Sequence, residues 1–268
     1  MQNYEKNITN FVGNLNKIMG RKKLEICIDS IGSAVIAQDA GADSIELCDN
    51  LFEGGTTPSI GMIKRARKSL SIDINVMVRP RGGDFLYSPL EFEIMKEDIR
   101  QIKDEGADGI VTGILLEDGN IDIIRTAELI KIAGPMQVTF HRAFDMSPDP
   151  IKSIEDIIKS GARRILSSGH QNSVMDGLVL MKSLIENSGH LINIVPGGGI
   201  NVKNIKEVIG GCGALEYHLT ARSISSSFMK YRKDGIYMGG LREIPEFDRK
   251  IADRSKILAV RKILDSYT

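Results

Sequence analysis

The sequence lacks the features that mark several classes of protein. It has no Trp, only 5% aromatic residues and three Cys among 268 residues, and an odd, small number of Cys argues against a disulfide framework and favours a reducing compartment. Lys and Arg total 35, as do Asp and Glu, so no net positive charge attracts nucleic acid or an anionic membrane. No apolar run approaches the ~20 residues that cross a bilayer. We therefore expect a cytoplasmic protein that binds neither nucleic acid nor membrane.

Several catalytic and nucleotide-binding motifs are also absent. The sequence contains no HExxH zinc motif, no Ser-His-Asp signature and no nucleotide-binding loop. The turn after the first predicted strand, Asp29–Gly32, carries no GxGxxG motif. These absences disfavour zinc proteases, serine hydrolases and enzymes that bind dinucleotides.

The chain does show a regular alternation of short apolar strands and amphipathic helices. We predict strands at 24–29, 44–49, 73–79, 109–114, 136–141, 164–168, 191–196 and 215–220. We predict helices at 32–40, 59–69, 88–105, 121–133, 150–160, 173–187 and 201–209. Eight strands alternating with helices predict a (β/α)8 TIM barrel, whose usual size is ~250 residues.

Polar residues within the predicted strands favour the barrel over a doubly wound open sheet. An open sheet covered by helices on both faces accommodates such residues poorly, whereas a barrel interior can pair them with one another. These residues are Glu25, Glu46, Arg79, Thr139, His141, Glu216 and His218.

The two ends of the chain are predicted to flank one barrel domain at 24–223. Residues 1–23 have helical apolar spacing and predict a helical arm that docks on the domain or on a neighbouring subunit. A mitochondrial presequence is the alternative, but the segment has one Arg and contains a Glu. Residues 224–268 are predicted to be an extension of loop and a final helix at 256–264, with further loop at 221–227.

The stretch Leu24–Asp49 reads as strand, helix and strand, a unit whose two strands must be parallel. Glu25 and Cys27 are two residues apart on the first strand, as Glu46 and Cys48 are on the second. Side chains two residues apart share one face of a strand, so both acids and both thiols are predicted to point the same way.

Seven motifs in this order resemble the CutC copper homeostasis family. They are LEICIDS, IELCD, EGGTTPS, VMVRPRGGDFLYS, VTFHRAFD, PGGGI and YHLTARS. The resemblance covers about residues 24 to 223 and implies a TIM barrel, an oligomeric cytoplasmic protein and Cu(I) binding. It implies that Cys27 and Cys48 are the copper ligands, and the sequence does not depart from the family at either position.

The chemistry of the two thiols is compatible with this implied site. Cu(I) is a soft ion that accepts thiolate ligands at low coordination number, so two sulfurs on adjacent strands form a minimal site. The alternative is that Cys27 and Cys48 are small buried hydrophobes, since the sequence has no CxxC motif. Cys212, before the last strand, is predicted to be structural, and the scattered Met residues, Met77 among them, are predicted to pack rather than bind copper.

An enzyme is the second hypothesis, because chemistry in such barrels occurs at the C-terminal ends of the strands. The groups predicted there are Asp29, Arg79, Arg81, Asp84, His141, Arg142 and Asp145. The enzyme would be a lyase, isomerase or hydrolase, with His141 as general acid or base and Arg79 as the anchor of a small anionic or phosphorylated substrate. The alternative for His141 is a core histidine that is hydrogen-bonded to an acid. Glu25, Glu46 and Asp145 complete the candidate catalytic set. The alternative for Arg79, Glu25 and Glu46 is a buried ion network that fills the barrel.

The loop after the seventh predicted strand is a candidate anion site. Gly197, Gly198 and Gly199 precede a helix, and Arg222 follows the eighth strand. Backbone amides at this corner bind phosphate in many TIM barrels. The alternative is that the three glycines only permit a tight turn.

Overall fold

The structure is a computed structural model that describes residues 20–188, 191–239 and 244–267. Eight parallel strands form a nearly closed barrel with alternating helices, which confirms the predicted TIM barrel. The strands are β1 Lys23–Ile28, β2 Ser44–Leu47, β3 Asp73–Met77, β4 Gly109–Thr112, β5 Gln137–Phe140, β6 Arg164–Ser167, β7 Asn193–Pro196 and β8 Glu216–Leu219.

Each predicted helix of the barrel is present, with ends that shift by a few residues. The helices are α1 Ile31–Asp39, α2 Ile60–Ser69, α3 Pro89–Asp104, α4 Ile123–Ala133, α5 Pro150–Ser160, α6 Leu178–Ser188 and α7 Ile205–Cys212. The start of α3 follows from its sequence, because Ser88 and Glu91 form a reciprocal capping box around Pro89. Two short 3-10 helices, Leu51–Glu53 and Arg142–Met146, follow β2 and β5.

The hydrogen-bonded neighbours in the sheet follow the order β7-β6-β5-β4-β3-β2-β1-β8, so β8 pairs with β1. The sheet curves so that its two edge strands, β7 and β8, face each other. The two remaining edges lie close together, since a Cβ added to Gly197 after β7 would be 3.3 Å from His218 Cδ2 on β8. Apolar side chains such as Leu24, Ile26 and Ile45 fill the shell between strands and helices. The inward side chains, which include the polar ones, therefore share one enclosed interior.

The C-terminal extension differs from its prediction. Arg222–Ser226 forms a strand, β9, that pairs antiparallel with β10 at Asp248–Ala252. The loop prediction for 221–227 was therefore wrong, because this short polar segment becomes a strand only through pairing with residues far along the chain. The predicted final helix is present as α8, Arg254–Asp265.

The buried side chain of Arg261 connects helix α8 to the N-terminal end of the barrel. Arg261 Nη1 lies 3.0 Å from Asp43 Oδ2, and Arg261 Nη2 donates a 2.9 Å hydrogen bond to the carbonyl of Lys22. Residues 1–19, the bulk of the predicted N-terminal arm, lie outside the described residues, and the division of the chain at 23 and 223 stays a prediction. In the described residues, no helix is long and apolar enough to span a membrane.

Candidate metal site and the cavity above it

The two cysteines of the first two strands meet inside the barrel. Cys27 lies on β1 and Cys48 directly follows β2, and their Sγ atoms are 3.9 Å apart. Glu46 is the register partner of Cys27, and Cys48 Sγ lies 3.5 Å from Glu46 Oε2. One ligand atom from each residue lies within 4.8 Å of the other two, and all three side chains are buried. Two soft sulfurs and one carboxylate thus form a potential metal site.

A small apolar cluster and a glycine loop enclose the two thiols. Cys27 and Cys48 pack with Met77 and Val111 in a buried cluster apart from the main core. Gly55 lies against Cys48, and a Cβ there would be only 3.2 Å from the sulfur while φ is +97°. A side chain at position 55 would therefore be both strained and in contact with Cys48. The EGGTTPS loop covers the thiol because Gly55 has no side chain.

Below the thiols, the Glu25 carboxylate is fully hydrogen-bonded. Its Oε1 atom accepts from Arg164 Nη2 at 2.8 Å and from His218 Nδ1 at 2.9 Å. Its Oε2 atom accepts from Asn75 at 2.7 Å and from Ser44 at 3.3 Å. Burial acts to raise the pKa of Glu25, but the charges and hydrogen bonds of Arg164 and His218 outweigh it and hold this pKa far below its usual range.

Arg164 is the hub of this lower network. Its Nε donates to Glu216 Oε2 at 2.8 Å and its Nη1 donates to Thr139 at 3.0 Å, in addition to the bond with Glu25. The side chain is only 2% exposed. Burial of a guanidinium is costly, and the two carboxylates raise the pKa of Arg164 above its usual value. The lower part of the interior is therefore a saturated ion network. Of Arg79, Glu25 and Glu46, which the alternative interpretation placed in one network, only Glu25 belongs to it, because Arg79 donates to backbone carbonyls and Glu46 Oε1 has no partner among the described residues.

His218 connects this network to the thiols. Burial acts to lower the pKa of His218, but the negative charge of Glu46 and hydrogen bonds with Cys27 and Glu25 raise it well above its usual value. These interactions favour the protonated imidazole beside Cys27. The pKa of Cys27 falls to about 5 because Cys48 donates a hydrogen bond to its sulfur, and His218 lowers this pKa further. Cys27 is a thiolate at neutral pH.

The pKa values of Glu46 and Cys48 are both raised. Burial, and then the negative charge of Cys27, raise the pKa of Glu46 well above its usual value. The pKa of Cys48 is raised by the hydrogen bond that it gives to Cys27 and by burial. The Glu46 Oε1 atom is buried and has no hydrogen-bond partner. A native structure rarely leaves such an atom unpaired, so Glu46 has spare capacity for a ligand.

A cavity of about 430 Å³ opens above the metal site toward the C-terminal ends of the strands. Cys27, Glu46 and His218 line its lower end. The residues that line its upper part include Arg79, Phe85, His141, Arg142, Asp145, Gly198, Gly199 and Arg222. A volume of this size is typical of sites for small molecules.

His141 stands on the cavity wall as a neutral hydrogen-bond donor. Its Nδ1 atom accepts a 3.2 Å bond from the amide of Ala143, and its Nε2 atom is buried with no partner. Burial and the charge of Arg79 lower the pKa of His141 to about 3. The ring is therefore neutral at physiological pH, with its proton on Nε2, which suits a donor to a ligand better than a general base.

Arg79 is occupied by backbone carbonyl groups rather than held free for a substrate. Its Nη1 atom donates to the carbonyls of Glu53 at 2.7 Å and Gly55 at 2.9 Å, and its Nη2 atom donates to Gly83 at 2.7 Å. The guanidinium also lies 5.0 Å from the ring centroid of Phe85. Arg79 therefore ties together the two loops that cover the cavity, and only its Nε atom lacks a partner.

Asp145 orients a second arginine at the cavity. Its Oδ2 atom accepts from Arg142 Nε at 2.8 Å, and its Oδ1 atom accepts from the Ser167 hydroxyl at 2.6 Å. Arg142 Nη2 also donates to Ser168 Oγ at 2.6 Å. With these bonds, Asp145 is a positioning group for Arg142 and not a free acid. Arg142 is one of the groups predicted at the strand ends, although it is not in the candidate catalytic set, and it lines the cavity together with Arg79.

The glycine corner lies on the same cavity. Gly198 and Gly199 have φ of +90° and +85°, and a Cβ on Gly197 would be 2.6 Å from Leu166. Arg222 sits nearby and pairs with Asp29 at 3.4 Å. The structure thus brings Gly198, Gly199 and Arg222 to one cavity, as predicted, while Gly197 serves the packing of the strand.

Comparison with known proteins identifies the relatives of this chain. Residues 22–223 match the model of the CutC family. The human copper homeostasis protein cutC homolog is 47% identical over 240 residues, which cover 90% of this chain and 88% of that protein. A family protein CutC from Chromobacterium violaceum is 44% identical and covers 91% of this chain and 98% of its own length.

Solved structures of other proteins also resemble this chain. The crystal structure of CutC from Streptococcus agalactiae superposes with a TM-score of 0.71 at 35% identity, over 74% of this chain and 98% of that one. N-(5'-phosphoribosyl)anthranilate isomerase from Pyrococcus furiosus has a TM-score of 0.58 at 15% identity, over 91% of this chain and 99% of that one, and this likeness shows the shared fold alone. The chain belongs to the CutC family.

Proposed function

We propose that this protein binds Cu(I) through Cys27 and Cys48 and takes part in copper homeostasis in the cytoplasm. The observation that carries the proposal is the pair of buried sulfurs 3.9 Å apart beside a carboxylate oxygen without a partner. Two sulfurs that share one ion through bonds of ~2.3 Å can be up to ~4.6 Å apart, so this pair is close enough. The names of the human and mouse relatives, both called copper homeostasis proteins, support the same role.

The donor set suits Cu(I) better than Zn(II). Thiolates are soft ligands that favour Cu(I), whereas a structural zinc site is almost always four-coordinate. Among the described residues, the cluster offers two thiols and the Glu46 carboxylate. Met77 belongs to the same buried cluster as the two thiols and adds a soft, polarizable neighbour to the site. The hydrogen bond from Cys48 and the neighbouring His218 lower the pKa of Cys27, which favours the thiolate that a metal ion binds.

The test is a Cu(I) titration against a competing chelator under reducing conditions. The Cys27→Ser, Cys48→Ser double variant should bind Cu(I) at least about 100-fold more weakly than the wild type. Cys212→Ser is the matched control, because Cys212 is also buried but lies at the end of α7, outside the cluster. Equal affinity of the double variant and the wild type would refute the site.

We also propose that the protein is a homo-oligomer that uses its C-terminal extension. The segment after β8 exposes large apolar side chains, with Phe228 97% and Ile224 72% exposed. Exposed apolar residues clustered in one segment are typical of an interface. Sedimentation velocity should give a multiple of the monomer mass for the wild type and a smaller particle for Phe228→Ser. A wild type that sediments as a monomer would contradict the proposal.

A further inference from the structure

We propose that the β5–β7 side of the cavity, formed by Arg142 and the backbone amides of Gly198 and Gly199, binds the phosphate group of a small phosphorylated organic molecule. None of the donors is a residue of the thiol cluster. This site is therefore separate in its chemistry from the copper site, although both face one cavity.

The glycine loop presents two amide groups that bond to no described residue. The carbonyl of Gly198 accepts from the amide of Val174 at 2.9 Å, and the carbonyl of Gly199 accepts from the side chains of Asn201 and Asn204, each at 3.0 Å. The carbonyls are thus engaged, whereas the two N–H groups are left for an anion. Successive free amides in such a turn form an anion-binding nest.

Arg142 supplies the charge for this nest. Its Nε and Nη2 atoms are held by Asp145 and Ser168, while its Nη1 atom has no partner. The Nη1 atom lies 3.6 Å from the position that a Cβ on Gly198 would take. A fixed guanidinium with one free nitrogen beside free amides matches the geometry of a phosphate better than that of a cation.

An independent observation places a ligand beyond the phosphate. His141 is 4% exposed, and its protonated Nε2 atom is buried without a partner on the same cavity. An unpaired buried donor is costly unless a ligand supplies an acceptor. The cavity volume of about 430 Å³ is much larger than an inorganic ion needs. We therefore assign the organic part of the ligand, with a hydroxyl or carbonyl oxygen, to His141.

The acidic groups near this corner do not oppose an anion. Asp145 accepts bonds at both oxygens from Arg142, Ser167 and Ser168, and Asp29 is paired with Arg222. Glu46 lies at the thiol end of the cavity. The donors without partners at this corner thus outnumber the acceptors without partners, which is the pattern that an anion requires.

Glycerol 3-phosphate is the probe, and glycerol at the same concentration is its control. In ¹⁵N-edited spectra of the wild type, the phosphate should shift the amides of Gly198 and Gly199 in a saturable way. The amide of Gly134 should not move, because it donates to Ile130 at the opposite end of the barrel. Arg142→Gln should weaken binding about tenfold or more, since it removes a charge-assisted bond.

Arg125→Gln is the matched control variant. Arg125 also donates its Nε atom to an Asp three residues before it and an Nη atom to a carbonyl, but it is not part of the cavity wall. It should bind the probe as the wild type does. The proposal is overturned if the probe does not shift Gly198 and Gly199 in the wild type, or if Arg142→Gln binds as tightly as Arg125→Gln.

The copper proposal can fail independently of this one. Arg142→Gln should keep the Cu(I) affinity of the wild type, because Arg142 makes no contact with Cys27, Glu46 or Cys48. The Cys27→Ser, Cys48→Ser double variant should keep the shifts at Gly198 and Gly199. Loss of phosphate binding in the double cysteine variant would contradict a separate phosphate site.

Discussion

The lower and upper halves of the barrel interior hold their polar groups in opposite states. In the lower half, Glu25 accepts four hydrogen bonds and Arg164 donates three, and neither has an unpaired buried atom. In the upper half, Glu46 Oε1, Arg79 Nε and His141 Nε2 are buried without partners. The residues named in both halves are buried, so burial alone does not distinguish their polar groups.

The difference separates groups whose buried atoms are all hydrogen-bonded from groups that keep a buried atom without a partner among the described residues. A saturated network loses a great deal when one member is removed, because its partners are left buried and unpaired. A buried group without a partner already carries its desolvation cost, and removing it costs the fold little. Substitutions in the lower half should therefore reduce the free energy of unfolding more than substitutions in the upper half.

The largest effect is expected from Arg164→Met. This variant removes the guanidinium from the buried Glu25 and the partly exposed Glu216, and it should lower the free energy of unfolding by about 3–5 kcal/mol. Arg163→Met is the control, because the neighbouring Arg163 is exposed and should change stability by no more than about 0.5 kcal/mol. Chemical denaturation measures both. A loss at Arg164 no larger than that at Arg163 would mean that the lower network is not structural.

The sequence predicts the strands that surround this interior but not which polar side chains pair within it. The alternation of strands and helices was enough to predict the barrel, and the two-residue spacing of Glu25 and Cys27 was enough to predict their common face. The Glu25–His218 bond joins residues on β1 and β8, which meet only when the barrel closes. Arg164 was visible as a cation within a predicted strand, and that signal could have placed it in the network.

The loops above the strands were less predictable than the strands. Arg79 and Arg142 are both arginines after strands, and sequence gives no reason to prefer one as the ligand anchor. Which arginine can bind a ligand depends on the positions of backbone carbonyls. Arg79 donates to the carbonyls of Glu53, Gly55 and Gly83, while the Nη1 atom of Arg142 has no partner among the described residues. Backbone conformation of this kind follows from tertiary packing and not from residue type.

A second prediction compares two buried acids that have the same side chain. Glu25→Gln should lower the free energy of unfolding by about 2–3 kcal/mol, because the carboxylate gives up charge-assisted bonds to Arg164 and His218. Glu46→Gln should change it by less than about 1 kcal/mol, since the Glu46 Oε1 atom has no partner among the described residues to lose. Denaturation of both variants side by side tests this difference. Equal losses would remove the distinction between the two halves.

A third prediction concerns pH and the upper half. The pKa of His141 is about 3 in the folded protein, below its usual value of 6.5, so the unfolded chain takes up a proton first as the pH falls. Between pH 6.5 and 3 this group therefore makes the folded state less stable as pH decreases. Because of this group, the free energy of unfolding is about 1 kcal/mol lower at pH 5.5 than at pH 6.5, whereas the loss is absent well above pH 6.5.

His141→Gln tests this sign, because Gln is uncharged at every pH. Its free energy of unfolding should fall less between pH 6.5 and 5.5 than that of the wild type, by about 1 kcal/mol. Denaturation curves at the two pH values give this difference directly, and all other titrating groups are common to both proteins. Identical pH dependence in the two proteins would show that His141 is not a buried neutral group.

The smallest effect is expected at the third cysteine, which lies outside the interior. The Cys212 thiol is buried at the end of α7 and donates to the carbonyl of Val208 at 3.1 Å, a bond that a serine hydroxyl can also make. Cys212→Ser should therefore change the free energy of unfolding by about 0.5 kcal/mol or less and leave the Cu(I) stoichiometry unchanged. Metal titration and denaturation of the same preparation check both. A fall in Cu(I) stoichiometry in this variant would move copper binding away from the paired thiols of β1 and β2, because Cys212 shares neither their cluster nor their cavity.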